Sequence, residues 1–291
     1  MNQVKIQTEN GNAVHAHVFP ADSNQVLIIA SATGVKQHFY RRFARYVSGR
    51  KVNVITFDYS GIGLSLQNSV KQTQTSAIDW GKNDLEAVIN FAAKSFPNSR
   101  ITLLGHSIGG QLIGLAPSSK TLHKVVLVAS PGGYWRLWDG LDKMKMWFYW
   151  HILFPTLSTT FGYLPSKKLS RMENLPKGVA IQWSRWGRKP EFLFDEISES
   201  DLYYDDIEAP VTSIWIDKDV LAPRRAVDWL THKYRNADIK KLHLYPRDFN
   251  SKEIGHFGIF HEQFKHNLWP MLAREVAIHR SVEEYKVAEA M

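Results

Sequence analysis

Leu104-Gly105-His106-Ser107-Ile108-Gly109-Gly110 is the stretch on which the fold turns. It is a G-x-S-x-G pattern lying between an apolar run, Ile101-Thr102-Leu103-Leu104, and a segment of helical character that begins at Ser107. A nucleophilic serine needs this setting, because its hydroxyl must stand exposed on a sharp, strained turn between strand and helix. Gly105 and Gly109 leave room for such a turn, and Gly110 lets the helix pack close to the strand. The helix N-terminus would also present the backbone N–H of Ile108 to an oxyanion developing beside the serine.

Outward from this stretch the chain alternates between strand and helix signals. Gln25–Ala30, Val52–Phe57, Lys124–Ala129, Val211–Ile216 and Ile239–Tyr245 are short apolar runs that predict strands. Between them, Tyr40, Phe43, Ala44 and Val47 recur at helical spacing, as do Leu85, Val88, Ile89 and Ala92. Further helices are expected near Pro223 and from about Ile259. Continuous apolar strands separated by helices predict a mostly parallel sheet with helices on both faces. The first twenty residues alternate instead, with Val14, Ala16 and Val18 against His15 and His17, and predict an antiparallel edge hairpin. The rhythm breaks over residues 131–208, which hold six of the ten Trp together with Pro155, Pro165, Pro176 and Pro190. The expected organisation is a core domain of residues 1–130 and 209–291, with 131–208 inserted as an aromatic-rich helical cap.

A serine hydroxyl is a weak nucleophile and requires a base, itself oriented by an acid. In a sheet of this kind those partners follow the serine in the order acid, then histidine, on loops after later strands. Asp217-Lys218-Asp219-Val220-Leu221-Ala222-Pro223 follows one strand, and Glu253-Ile254-Gly255-His256-Phe257-Gly258 follows the next. Other motifs fail on spacing. Gly61-x-Gly63 has Leu66 where a dinucleotide fingerprint needs a third glycine. His261 and His266, with Glu262, are five apart, so on a helix their rings would point about 140° away from each other and could not share a zinc. His15 and His17 share a strand face but have no third ligand nearby. No metal and no cofactor is implied.

The chain resembles the α/β-hydrolase superfamily, in particular serine-aminopeptidase-like and monoacylglycerol-lipase-like bacterial members of unassigned substrate. The similarity extends to Phe57-Asp58-Tyr59-Ser60-Gly61-Ile62-Gly63-Leu64-Ser65 and to Gly255-His256-Phe257-Gly258-Ile259-Phe260. It implies an α/β-hydrolase fold with Ser107 as nucleophile and His256 as base. In relatives the acid lies four residues before a proline, which selects Asp219 and leaves Asp217 as the alternative. His243, inside a strand, and His261, in the expected last helix, are read as structural. Where most relatives carry His-Gly after the first parallel strand, this chain reads Ser31-Ala32-Thr33-Gly34. Position assigns the second oxyanion N–H to Thr33, with Ala32 as the alternative.

Composition narrows the chemistry further. With 291 residues and no Cys, the chain has no disulfides, thiolate metal sites, iron–sulfur clusters or cysteine nucleophile. Its net charge of +8 falls as +7 in residues 1–130, −1 in 131–208 and +2 in 209–291. Much of that excess is Lys36, Arg41, Arg42, Arg45, Arg50 and Lys51 around one amphipathic helix. A solvated helix face, with no nucleic-acid partner, is the expectation. The start, Met1-Asn2-Gln3-Val4-Lys5, lacks the apolar run of a signal peptide, and a cytoplasmic location is expected. The longest nearly pure apolar run, Met146–Phe154, is about half of a membrane span. Trp135, Trp147 and Trp150 are expected to roof a pocket for a small-molecule acyl substrate, with transient lipid contact a secondary expectation. The sequence carries no signal for oligomeric state. The expected activity is that of a carboxylesterase- or lipase-like serine hydrolase (EC 3.1.1) working through an acyl-enzyme. The alternatives are an acyltransferase and a non-catalytic binding protein on the same fold.

Overall fold

A computed structural model gives the fold and describes residues 1–168, 170 and 172–277. The central sheet has eight strands: Asn2–Gln7 (β1), Ala13–Phe19 (β2), Gln25–Ala30 (β3), Asn53–Asp58 (β4), Arg100–His106 (β5), Lys124–Val128 (β6), and, after a two-stranded ribbon of Tyr163–Leu164 (β7) with Leu175–Pro176 (β8), Val211–Ile216 (β9) and Ile239–Leu244 (β10). Their spatial order is β1-β2-β4-β3-β5-β6-β9-β10. β1 and β2 pair antiparallel and β2 runs antiparallel to β4, while every pair from β4 to β10 is parallel. The expected antiparallel edge hairpin and mostly parallel sheet are therefore both present.

The sheet is covered on both faces, and alternate residues of β3 show why its sequence is apolar throughout. Val26, Ile28 and Ala30 join one hydrophobic cluster, whereas Leu27 and Ile29 join the other. The helices follow the chain as Arg41–Ser48 (α1), Ala77–Asp79 (α2), Glu86–Ser95 (α3), Ile108–Gln111 (α4), Gly140–Phe148 (α5), Phe154–Phe161 (α6), Lys177–Gly187 (α7), Arg224–Thr231 (α8), Gly255–Gly258 (α9) and Leu268–Val276 (α10). α1 and α10 cover the Leu27 face through Phe43, Ala44, Val47, Trp269 and Leu272; α3 covers the Val26 face through Val88, Ile89 and Ala92. Arg42, Arg45 and Arg50 lie exposed on or just beyond α1, and Arg42 pairs with Glu262 at 2.5 Å, so this basic cluster is a solvated helix face.

The helix expected after Ser107 is present but short, and the expected start of the last helix needs correction. The helix after Ser107 is a single turn, Ile108–Gln111, followed by a 3₁₀ turn, Ile113–Leu115. Tertiary bonds replace the missing turns: the Tyr234 hydroxyl donates to the Gly110 carbonyl at 3.2 Å, and the Tyr204 hydroxyl donates to that of Gln111. The last helix begins at Leu268, not near Ile259. Asn267 is its N-cap, accepting from the Leu268 N–H at 2.7 Å, and Pro270 fits the first turn, where no N–H is needed. His261 consequently caps a separate 3₁₀ turn, Glu262–Phe264, outside that helix.

Residues 131–208 form an excursion between β6 and β9, which are neighbours in the sheet. The excursion does not stand apart. Leu164, Leu175, Val179, Trp186, Phe192 and Tyr204 are buried in the same cluster as Leu103 and Val125 of the sheet. Among the described residues no helix is long and apolar enough to cross a membrane.

Asp84 lies fully buried in the π-helical segment Trp80–Leu85 that joins α2 to α3, and it accepts from the Ser60 N–H at 2.7 Å and the Ser60 hydroxyl at 2.8 Å. Burial, opposed by these two bonds, raises its carboxyl to about 7. The folded chain then binds more protons than the unfolded chain between the ordinary carboxylate range and pH 7. Stability should therefore fall as pH rises through that window, by roughly 1.4 kcal/mol for each unit of displacement. Asp84→Asn, which mimics the protonated acid, should flatten this slope in urea titrations at pH 4.5 to 8. Parallel wild-type and variant slopes would contradict the assignment.

Candidate active site

Ser107 sits at the C-terminal end of β5 with φ 55° and ψ −120°, a conformation that few non-glycine residues adopt. Its own N–H is tied to the Val128 carbonyl at 3.0 Å, and close backbone contacts on either side hold the turn. A Cβ on Gly109 would lie 2.3 Å from the Ala30 carbonyl oxygen, and one on Gly105 would lie 2.5 Å from the backbone of Gly110. Only glycine lets α4 press onto the end of β3 and onto β5 at once, and this contact forces the turn at Ser107.

The histidine and the acid meet as the sequence order requires. The Nδ1–H of His256 donates to Asp219 Oδ2 at 2.7 Å, and both residues are buried. Asp219 is aimed by its own loop, since its Oδ1 accepts from the N–H groups of Leu221 and Ala222 at 2.9 and 3.2 Å. With Nδ1 donating, a neutral His256 leaves Nε2 as the free base. Asp217 is turned elsewhere. Its N–H pairs with the Leu244 carbonyl at 2.9 Å, and it borders an open cleft with Lys218, Tyr245 and Arg247.

The loop after β3 separates the two oxyanion candidates. The Ala32 N–H is taken, donating to the Tyr40 hydroxyl at 2.9 Å. The Thr33 N–H and the Ile108 N–H have no acceptor among the described residues. The Thr33 hydroxyl is also buried without a partner. α4 packs directly on Ala30 and Ser31, at the start of the loop that carries Thr33.

Sequence reasoning missed two residues that join these loops. Tyr40 Oη lies 2.8 Å from His106 Nδ1, and His106 Nε2 lies 2.9 Å from the carbonyl oxygen of His256. Tyr40 reads in the sequence as one more apolar position of a helix face, and His106 as the variable residue of the motif. Their pairing across 66 positions leaves no local signal.

Of the three tryptophans expected to roof the site, Trp150 packs inward. It is buried, donates to the Gly133 carbonyl at 3.0 Å and meets Trp183 edge-on at 4.7 Å. Trp135 and Trp147 flank His151, with Trp147 stacked on it at 5.0 Å and itself 41% exposed. The excursion is tied to both sides of the site. Trp138 Nε1 donates to the carbonyl of Val220, next to Asp219, at 2.9 Å, and the Glu173 N–H donates to the carbonyl of Gly34, next to Thr33, at 2.8 Å. His17 donates to the Gln37 side-chain oxygen at 2.9 Å, and His243 packs against Trp215.

The tight packing at Gly109 yields a direct test. Gly109→Ala places a methyl group against a backbone carbonyl that cannot retreat, and should destabilise the protein by about 1–3 kcal/mol in urea unfolding. An unfolding midpoint equal to wild type would show that the elbow is not clamped this way.

Comparison with known proteins agrees with this fold. No curated protein matches the sequence. Among solved structures, an esterase from Pyrococcus furiosus superposes with a TM-score of 0.61 at 19% identity, covering 95% of this chain and 91% of that one. A thermostable carboxyl esterase from Bacillus coagulans superposes at 0.63 with 12% identity, covering 95% and 99%. Est816, described as an N-acyl homoserine lactone degrading enzyme, superposes at 0.59 with 14% identity, covering 94% and 100%. At such identities these likenesses speak for the fold alone. The model of the alpha/beta hydrolase family matches residues 26–248, from the first parallel strand to the loop after the last. The chain belongs to the alpha/beta hydrolase family.

Proposed function

We propose that the protein is a serine esterase that cleaves a small carboxylic ester or related acyl compound through an acyl-enzyme. The observation that carries this reading is the 2.7 Å bond from His256 to Asp219, together with the His106 Nε2 contact to the His256 carbonyl one residue from a serine held at positive φ. Ser107 Oγ attacks the carbonyl carbon while His256 Nε2 takes its proton. Asp219 keeps the proton on Nδ1 and stabilises the imidazolium that forms. The negative oxygen of the tetrahedral intermediate is received by the N–H groups of Ile108 and Thr33. Collapse breaks the bond to the leaving alcohol, which takes the proton back from His256. A water molecule, activated by the same imidazole, then releases the acid and restores Ser107.

The excursion is the natural place for substrate choice, because it is tied to Val220, next to Asp219, and to Gly34, next to Thr33. In this reading Trp135 and Trp147 border the acyl path, and Trp150 holds the fold of the excursion behind them. Such a wall gains up to about 0.8 kcal/mol for each methylene it covers.

Two measurements test the reading. Ser107→Ala should abolish hydrolysis of p-nitrophenyl butyrate, and Asp219→Asn should lower kcat on the order of 10³- to 10⁴-fold. Full activity in Ser107→Ala would remove the proposal. Across p-nitrophenyl esters of two to eight carbons, kcat/KM should vary with chain length, and Trp147→Ala should flatten that dependence without unfolding the protein. An equal profile in wild type and variant would take Trp147 out of the acyl path.

A further inference from the structure

His106 is fully buried, one residue before the proposed nucleophile, in a box made by Tyr40, Phe257 and Phe260, with His256 beside it. Two polar neighbours lie within hydrogen-bond distance, and their chemistry fixes the direction of both bonds. The His256 carbonyl, 2.9 Å from Nε2, can only accept, so Nε2 carries a proton. Burial first, and the neighbouring His256 second, push this imidazole well below the usual histidine range, so it is neutral and Nδ1 is bare. Nδ1 must therefore accept, and the Tyr40 hydroxyl at 2.8 Å donates. The same phenol oxygen accepts the N–H of Ala32 at 2.9 Å. Burial also raises the Tyr40 phenol, which keeps the proton it needs to donate. The result is a single directed chain: Ala32 N–H to Tyr40 O–H to His106 Nδ1, then Nε2–H to the carbonyl of His256.

We infer that His106, with Tyr40, is a positioning residue that locks the loop bearing His256, the turn bearing Ser107 and the loop bearing Thr33 into one rigid unit. The inference rests on the esterase reading of the site and adds a device to it. The three groups that act on the carbonyl come from three separate loops, and their own mutual contacts do not fix their spacing. His106 adjoins Ser107 in the chain, grips the backbone of His256 directly, and through Tyr40 holds the amide next to Thr33. Occupying the Ala32 N–H also removes the alternative donor of that loop and leaves the Thr33 N–H without an acceptor among the described residues. A displacement of about 1 Å in such an array can lower the rate by up to about 10²-fold, so a bond that touches no substrate can still govern kcat.

The imidazole can be replaced one nitrogen at a time. The amide of His106→Asn reaches the position of Nδ1, keeping the Tyr40 contact and losing the one to His256. The amide of His106→Gln places an N–H near Nε2 and keeps the grip on the His256 carbonyl. H106N should lower kcat for p-nitrophenyl acetate at least about tenfold with KM little changed, and H106Q should recover most of that loss. Tyr40→Phe should lower kcat several-fold, again at unchanged KM. Unfolding temperatures and the nitrogen-15 shifts of the His106 ring are read beside the kinetics, the wild-type ring being expected as the Nε2–H tautomer at pH 7. Equal losses in H106N and H106Q, losses that follow unfolding temperature, or a proton found on Nδ1 would each overturn the inference. Wild-type protein that neither turns over the ester nor reacts with a fluorophosphonate would overturn the esterase reading itself. Reactive wild type with an equally active H106N would overturn only the role of His106.

Discussion

The arrangement depends on one close contact, that of the one-turn helix α4 with the ends of β3 and β5. At Gly109 the helix backbone comes so near the Ala30 carbonyl that no side chain fits, and at Gly105 the strand comes equally near the helix. Serine at positive φ follows from that contact, because the chain must reverse from strand to helix within one residue. The strain, of order 1–3 kcal/mol for a non-glycine residue, is sustained by the surrounding sheet. The same contact sets α4 against Ala30 and Ser31, where the loop that carries Thr33 begins. The turn at Ser107 and the start of α4 are thus products of a single packing event, and the hydroxyls of Tyr204 and Tyr234 hold its far side.

The other half of the site is supplied from a distance. Asp219 and His256 stand on loops after β9 and β10, the two strands at the far edge of the sheet. Their bond orients the imidazole, but it does not tie them to Ser107. That tie runs through the buried Tyr40–His106 pair, which touches all three loops. The excursion of residues 131–208 joins these loops from outside, through Trp138 to Val220 and Glu173 to Gly34.

Much of this was legible in the sequence, for physical reasons that also mark where legibility stops. Strands buried on both faces must be apolar throughout, so β3, β6 and β9 announced themselves within a residue of their ends. The meeting of Asp219 with His256 was readable because a parallel sheet delivers its loops to one edge in chain order. The length of α4 was not readable, since the groups that close its carbonyls lie 93 and 124 residues away. The start of the last helix was readable in principle from Asn267 and Pro270, a local signal that the expected start near Ile259 did not use. Trp150 was assigned with its neighbours because an inward-facing and an outward-facing tryptophan look alike in a sequence. The His106–Tyr40 pair joins residues whose separate roles, motif spacer and helix face, each had a sufficient local explanation.

The most direct test of the central claim, that three loops converge on Ser107 to receive an oxyanion, is a crystal structure of the protein after reaction with a small alkyl fluorophosphonate. The account predicts phosphorus bonded to Ser107 Oγ, with its unesterified oxygen about 3 Å from the backbone nitrogens of both Ile108 and Thr33. Phosphorus on another residue, or an oxygen turned to solvent away from those two amides, would contradict it.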